Sequence, residues 1–116
     1  MKVYGIPNCN TVKKSIDWLK NNEIEFEFHD YKKKGITKEK LQEWSKKLGW
    51  EKMLNKKGTT WRTLTPGRQQ QVTDEFSAIE LMMEKPSVIK RPIIEAGKKL
   101  LIGLDEEEYK QSLKKK

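Results

Sequence analysis

Two short strand-like segments flank a helical one within the first 28 residues, and this order constrains the fold more than any other feature of the chain. Lys2 to Ile6 (KVYGI) is mostly apolar and runs into Pro7-Asn8, the pattern of a buried strand that ends in a turn. Val12, Ile16 and Leu19 then recur at helical spacing, with Asn8 or Asn10 available as a cap and Asn21-Asn22 as a stop. From Ile24 to Phe28 apolar and acidic residues alternate, which predicts a strand with Ile24, Phe26 and Phe28 turned toward the core. A strand-helix-strand order of this length predicts a parallel pair joined by a right-handed crossover.

The rest of the chain continues in two styles. Thr37 opens a predicted helix with Leu41, Trp44 and Leu48 as its apolar stripe and Gly49 as its stop, and a short helix is expected from Trp50 to Leu54. The stretch from Asn55 to Gly67 carries Gly and Pro punctuation around the isolated Trp61 and reads as a loop, with Trp61 expected to fold back over the core. Thr73 is the expected cap of a further helix with Phe76, Ile79 and Met83 on its apolar side, closed by Pro86. Arg91 to Ile94 reads as a strand, Glu95-Ala96-Gly97 as a tight turn and Lys98 to Ile102 as the antiparallel partner. Gly103 then breaks the pattern, and the acidic run Asp105 to Glu108 begins a last helix that ends in Lys114-Lys115-Lys116, charges that suit both ends of a helix dipole. The predicted order is β-α-β, a helical middle, and β-β-α, in one domain spanning all 116 residues.

Composition narrows the function. Hydrophobic residues make up 34% and charged residues 36%, but the apolar positions are periodic and include four Trp, so a folded domain is expected rather than a disordered chain. No apolar run is long enough to cross a bilayer and the first residues lack the apolar stretch of a signal peptide, so the expected setting is cytoplasmic, with no membrane contact. With a single cysteine the chain can build neither an internal disulfide nor a thiolate metal cage. The net charge of +8 favours anionic partners, yet the lysines fall at predicted loop and helix ends and accompany no zinc finger, helix-turn-helix or RNA-binding motif, so direct nucleic-acid binding is not expected. His29 follows Glu25 and Glu27 on the solvent parity of its strand and has no second His or Cys beside it, which argues against a metal or general-base role. Gly58-Thr59-Thr60 lacks the Gly-Lys-Ser/Thr ending of a phosphate-binding loop.

Cys9 is the candidate reactive atom. It sits between the first strand and the first helix, in Pro7-Asn8-Cys9-Asn10-Thr11-Val12-Lys13-Lys14. Unpaired N–H groups at a helix start stabilise an anion, and Lys13 and Lys14 add to the same field, so the thiol is expected to titrate low and to carry a large thiolate fraction. A lone cysteine commonly packs as an inert small hydrophobe, but the Asn and Thr neighbours here argue against burial. Arg91-Pro92 is the second feature: a guanidinium beside a thiolate lowers its pKa and holds an anionic adduct. By themselves these two residues read equally as the lead into a strand.

Taken together, the strand followed by PNCNTVKK, the helical middle and the ending RPIIEAGKKLLIGLDEEEY resemble the arsenate reductase (ArsC) family, which also contains the Spx regulators and the YffB-like proteins. NKKGTTWR most resembles the YffB branch. The resemblance covers nearly the whole chain and implies an α/β, thioredoxin-like fold (β-α-β plus β-β-α) with a helical insertion at about 30 to 87. It implies a cis proline opposite the cysteine, which puts Pro92 across from Cys9 and Arg91 beside the sulfur. Cys9 and Arg91 are then the expected catalytic residues, and Asn10, Thr11, Lys13 and Pro92 the expected substrate-binding ones, with no metal. Glutaredoxin-coupled arsenate reductases of the family surround the cysteine with three arginines. Here only Arg91 matches; the other two positions fall near Asn55 and near Ile102 or Gly103. Spx members usually carry Cys-x-x-Cys, and here Val12 stands at the second position. The expected activity is therefore thiol-disulfide reduction, with no bound cofactor, glutathione as co-substrate and glutaredoxin as a candidate partner, in a monomer. The alternatives are an Spx-like regulator that binds RNA polymerase and, third, an arsenate reductase.

Overall fold

The computed structural model describes residues 1–113. In chain order its elements are β1 (Lys2–Gly5), α1 (Asn10–Asn21), β2 (Glu27–Asp30), α2 (Tyr31–Lys34), α3 (Lys38–Leu48), α4 (Trp50–Met53), α5 (Thr59–Arg62), α6 (Pro66–Gln70), α7 (Glu75–Glu84), a 3-10 turn (Pro86–Val88), β3 (Ile93–Ala96), β4 (Lys99–Ile102) and α8 (Glu106–Ser112). The chain divides into two compact units. One is formed by Met1–Tyr31 with the residues from Arg91 onward, the other by Lys32–Lys90.

The first unit carries a four-stranded sheet, among the described residues, in the order β2-β1-β3-β4. β1 and β2 are parallel, as the strand-helix-strand order predicts, while β3 runs antiparallel to both β1 and β4. The register lines up Phe28, Val3, Ile94 and Leu101 in one row across the sheet. Side chains alternate along each strand, so all four point to the same face. Leu19 from α1, Tyr109 from α8 and Leu113 complete that core, with Trp18, Ile24, Phe26 and Leu104 packed around it. Trp18 meets the Tyr109 ring edge-on, with centroids 5.3 Å apart, a favoured aromatic geometry.

Three expectations shift in this unit. The second strand begins at Glu27, not Ile24, because its partner β1 begins opposite it, at Lys2. Ile24 and Phe26 keep their inward alternation without a strand alongside. His29 does not face solvent freely: it lies beside Tyr4 in the ladder, with ring centroids 5.0 Å apart. The third strand begins at Ile93 rather than Arg91, since Pro92 has no N–H for the ladder, and Ala96 belongs to the strand while Gly97, at φ 63°, takes the turn. Asp105 caps α8 by accepting from the Glu108 N–H at 3.2 Å. The Lys114-Lys115-Lys116 run expected at the end of that helix lies outside the described residues.

In the second unit Thr37 caps α3 through the Lys40 N–H at 3.2 Å, and Gly49 ends it at φ 87°, both as expected. Leu41 and Trp44 are buried, but so is Ser45, whose hydroxyl donates to Glu75 Oε1 at 2.6 Å. The stretch from Asn55 to Gly67 is not a plain loop. It holds α5 and the start of α6, the latter capped by Thr65 with Pro66 in its first turn. Trp61 is half-buried, with the Lys56 ammonium 5.6 Å from its ring. The cap of α7 is Asp74 rather than Thr73, through a reciprocal bond pattern with Ser77. That helix buries Ala78, Ile79, Leu81 and Met82, leaving Phe76 60% and Met83 45% exposed, so the expected stripe is rotated.

Candidate functional site at one edge of the sheet

Sheet topology alone brings three chain segments together. β1 and β2 are parallel and end at Gly5 and Asp30, which pair with each other. β3 is antiparallel to β1 and starts at Ile93, opposite Tyr4. The turn after β1 that carries Cys9, the residue after β2 (Tyr31) and the two residues before β3 (Arg91 and Pro92) therefore all lie at the same edge.

Cys9 is the N-cap residue of α1, with extended backbone angles (φ −106°, ψ 125°), so the expected Asn8 or Asn10 cap is displaced. Its N–H donates to the Ile6 carbonyl at 3.3 Å and its carbonyl accepts from the Lys13 N–H at 2.9 Å, which fixes the turn. The side chain is partly exposed and makes no capping hydrogen bond. Burial pushes the thiol pKa up and is the largest single influence. The Val12 N–H, the Arg91 side chain, the Thr11 N–H and the Arg91 charge outweigh it together, so Cys9 ends below its ordinary value. Those two N–H groups are the donors that a helix start leaves unsatisfied, which is why an anion suits this place.

Arg91 is half-buried, its bond to Pro92 is cis, and Pro92 is buried. Tyr31, a residue that sequence reasoning missed, is fully buried and shares a side-chain hydrogen bond with Arg91. Burial drives its phenol pKa far upward and the neighbouring Cys9 and Asp30 charges add to this, while Arg91 opposes it, so the phenol stays neutral. Its only sequence signal is an aromatic directly after the second strand, which reads as core. Of the expected substrate-binding residues, Thr11 reaches Cys9 through its backbone N–H. Asn10 and Lys13 are exposed on the first turn of α1, where solvent screens the lysine charge.

A chain of buried hydroxyls braces the site. Ser15 Oγ shares its one proton between the Thr11 carbonyl at 3.0 Å and the Tyr109 hydroxyl at 3.2 Å, and the Tyr109 hydroxyl donates to the Gly103 carbonyl at 2.5 Å. Gly103 in turn donates its N–H to the Pro92 carbonyl at 2.8 Å. The start of α1 and the Arg91-Pro92 lead are thus tied through Tyr109. Among the described residues there is no cluster of His, Cys, Asp and Glu able to hold a metal.

A parallel-antiparallel sheet of this order, with a cysteine at the start of the first helix and a cis proline leading into the third strand, defines a thioredoxin-like protein. The ArsC family pattern matches residues 4–112, and the chain belongs to that family. Its relatives differ in what they are called. The solved structure of a YffB protein is 42% identical, superposes with a TM-score of 0.92, and the match covers 97% of each chain. An arsenate reductase (ArsC) related protein from Brucella melitensis is also 42% identical, with a TM-score of 0.76, over 97% of this chain and 93% of that one. The regulatory protein MgsR of Bacillus subtilis is 30% identical over 115 residues, which are 97% of this chain and 90% of MgsR.

Proposed function

We propose that the chain is a glutathione-dependent thiol oxidoreductase of the cytoplasm, with Cys9 as nucleophile and Arg91 as its charged partner. The observation that carries the reading is the placement of Cys9 at the start of α1 and of Arg91 just before β3 at the same edge of the sheet, where the thiol pKa is lowered in spite of burial. Thiolate is the attacking species in thiol-disulfide exchange. The Cys9 thiolate attacks the glutathione sulfur of a mixed disulfide, forms a Cys9-glutathione disulfide and expels the substrate thiolate, which takes a proton. A second glutathione thiolate then attacks that adduct, releases the Cys9 thiolate and leaves as oxidised glutathione. The external thiol is required because the chain has one cysteine and no resolving partner. Arg91 holds a carboxylate or the leaving thiolate by charge-assisted hydrogen bonds, while the exposed Asn10, Thr11 and Lys13 form the surface that the substrate meets.

The test is reduction of a glutathione mixed disulfide by the purified protein, followed by intact mass to detect the Cys9 adduct. Turnover and a reducible adduct are expected, both abolished in Cys9→Ser, because a serine hydroxyl is hardly ionised at neutral pH. A regulatory reading is favoured by the 30% identity to MgsR. It predicts instead a micromolar or tighter complex with an RNA polymerase subunit that survives Cys9→Ser, with no exchange in the wild type. Arsenate turnover with glutathione and glutaredoxin is expected to be slight, since only Arg91 matches the family's three arginines. Each missing charge-assisted contact costs about 1.5–3 kcal/mol, or one to two decades in rate.

A further inference from the structure

Tyr31 is completely buried at the edge of the sheet where Cys9 and Arg91 meet, yet it cannot touch a substrate. It directly follows Asp30, and Asp30 pairs with Gly5 at the end of the strand that leads to Cys9. Its hydroxyl shares a hydrogen bond with the Arg91 side chain, and Arg91 in turn hydrogen-bonds the Cys9 sulfur. A guanidinium has five donors and no acceptor, so in that bond the phenol oxygen accepts and an arginine N–H donates. Long arginine side chains are free to adopt many rotamers, and holding one against a sulfur has an entropic cost. A buried acceptor that takes one guanidinium N–H limits the orientations open to the planar fork before any substrate arrives.

We propose that Tyr31 is a positioning residue: by accepting an N–H from Arg91 at a fully buried site, it holds the guanidinium against the Cys9 sulfur and orients it for an anionic group on the incoming disulfide. The proposal rests on the reading of Cys9 and Arg91 given above, and it concerns how Arg91 is held rather than which disulfide is reduced. A merely structural tyrosine would satisfy its hydroxyl on Arg91 and have no further effect on the cysteine.

The experiment compares wild type, Tyr31→Phe, Arg91→Ala and the double variant by the pH dependence of Cys9 thiolate absorbance and by thiol labelling at neutral pH. Phenylalanine keeps the ring and removes only the acceptor. The Cys9 midpoint is expected to rise in Tyr31→Phe toward that of Arg91→Ala, with labelling slowed about three- to tenfold, the scale of a weakened charge-assisted contact. The double variant should be no worse than Arg91→Ala, because Tyr31 acts through Arg91. A wild-type midpoint and labelling rate in a folded Tyr31→Phe would overturn the proposal, as would an additive double variant. Since titration and labelling need no turnover, they read this coupling even if the mixed-disulfide assay defeats the glutathione reading. Should Tyr31→Phe not fold, NMR of the wild type decides: Arg91 side-chain N–H signals that are resolved, slow to exchange and in contact with the Tyr31 ring support the proposal, and rapidly exchanging signals without that contact overturn it.

Discussion

Replacing Gly5 with alanine would set a methyl group 2.9 Å from Val12 Cγ2, 3.3 Å from Val12 Cγ1 and 3.7 Å from Phe28 Cε1. Carbon atoms rest at about 3.5–4.0 Å, so the first two approaches are repulsive. Val12 cannot turn aside, because a β-branched side chain in a helix has one strongly preferred rotamer and this one is fully buried. The helix must shift instead. Overpacking of this kind costs roughly 1–3 kcal/mol, offset by about 0.5–1 kcal/mol because alanine loses less backbone freedom than glycine in a strand, which leaves about 0–2.5 kcal/mol of destabilisation. Val12→Ala alone removes two buried methyl groups, worth about 1.6 kcal/mol in transfer, with a further cavity cost. In the double variant the new methyl occupies the space that the valine vacates, so the two losses should fall short of their sum by about 1 kcal/mol or more. Urea unfolding measures this as shifts in midpoint at constant slope. The same helix shift moves Cys9, the N-cap residue of α1, relative to Arg91 before β3, so Gly5→Ala should also slow thiol labelling. Losses that add to within about 0.3–0.5 kcal/mol would refute the account of how β1 and α1 pack at the site.

Two further outcomes follow from the same geometry. The folded-state pKa of Cys9 lies below the ordinary thiol value, so its ionisation adds stability that is fully present above the unfolded pKa of about 8.5 and is lost as pH falls through the folded pKa. The unfolding free energy of wild type minus that of Cys9→Ala should therefore rise with pH across that window, and a pH-independent difference would contradict it. Tyr109→Phe keeps the edge contact with Trp18 but removes the hydroxyl between Ser15 and Gly103. A loss of roughly 1–3 kcal/mol is expected in thermal or urea unfolding, and an unchanged stability would mean that the hydroxyl chain does not brace α1.

Local pattern was enough to determine the elements that bound the site. The apolar run from Lys2 to Ile6, the helical spacing of Val12 and Leu19 and the polar break at Pro7-Asn8 place Cys9 at a helix start, because each depends on residues a few positions apart. Short-range capping was read less well. Asp74 rather than Thr73 starts α7, and Thr65 caps a one-turn helix inside a stretch that looks like a loop, since Ser, Thr and Asp compete closely for such positions. The start of β2 was decided by a neighbour, since it lies where β1 begins to offer partners, whereas β3 starts after Pro92 because proline has no N–H to give the ladder. Only the tertiary structure decided which groups surround the sulfur. Arg91 and Tyr31 stand at opposite ends of the inserted unit in sequence, and they meet because β2 and β3 flank β1 in one sheet. An aromatic that follows a strand reads as core until that closure supplies its hydroxyl with a guanidinium, a pairing that no local period encodes.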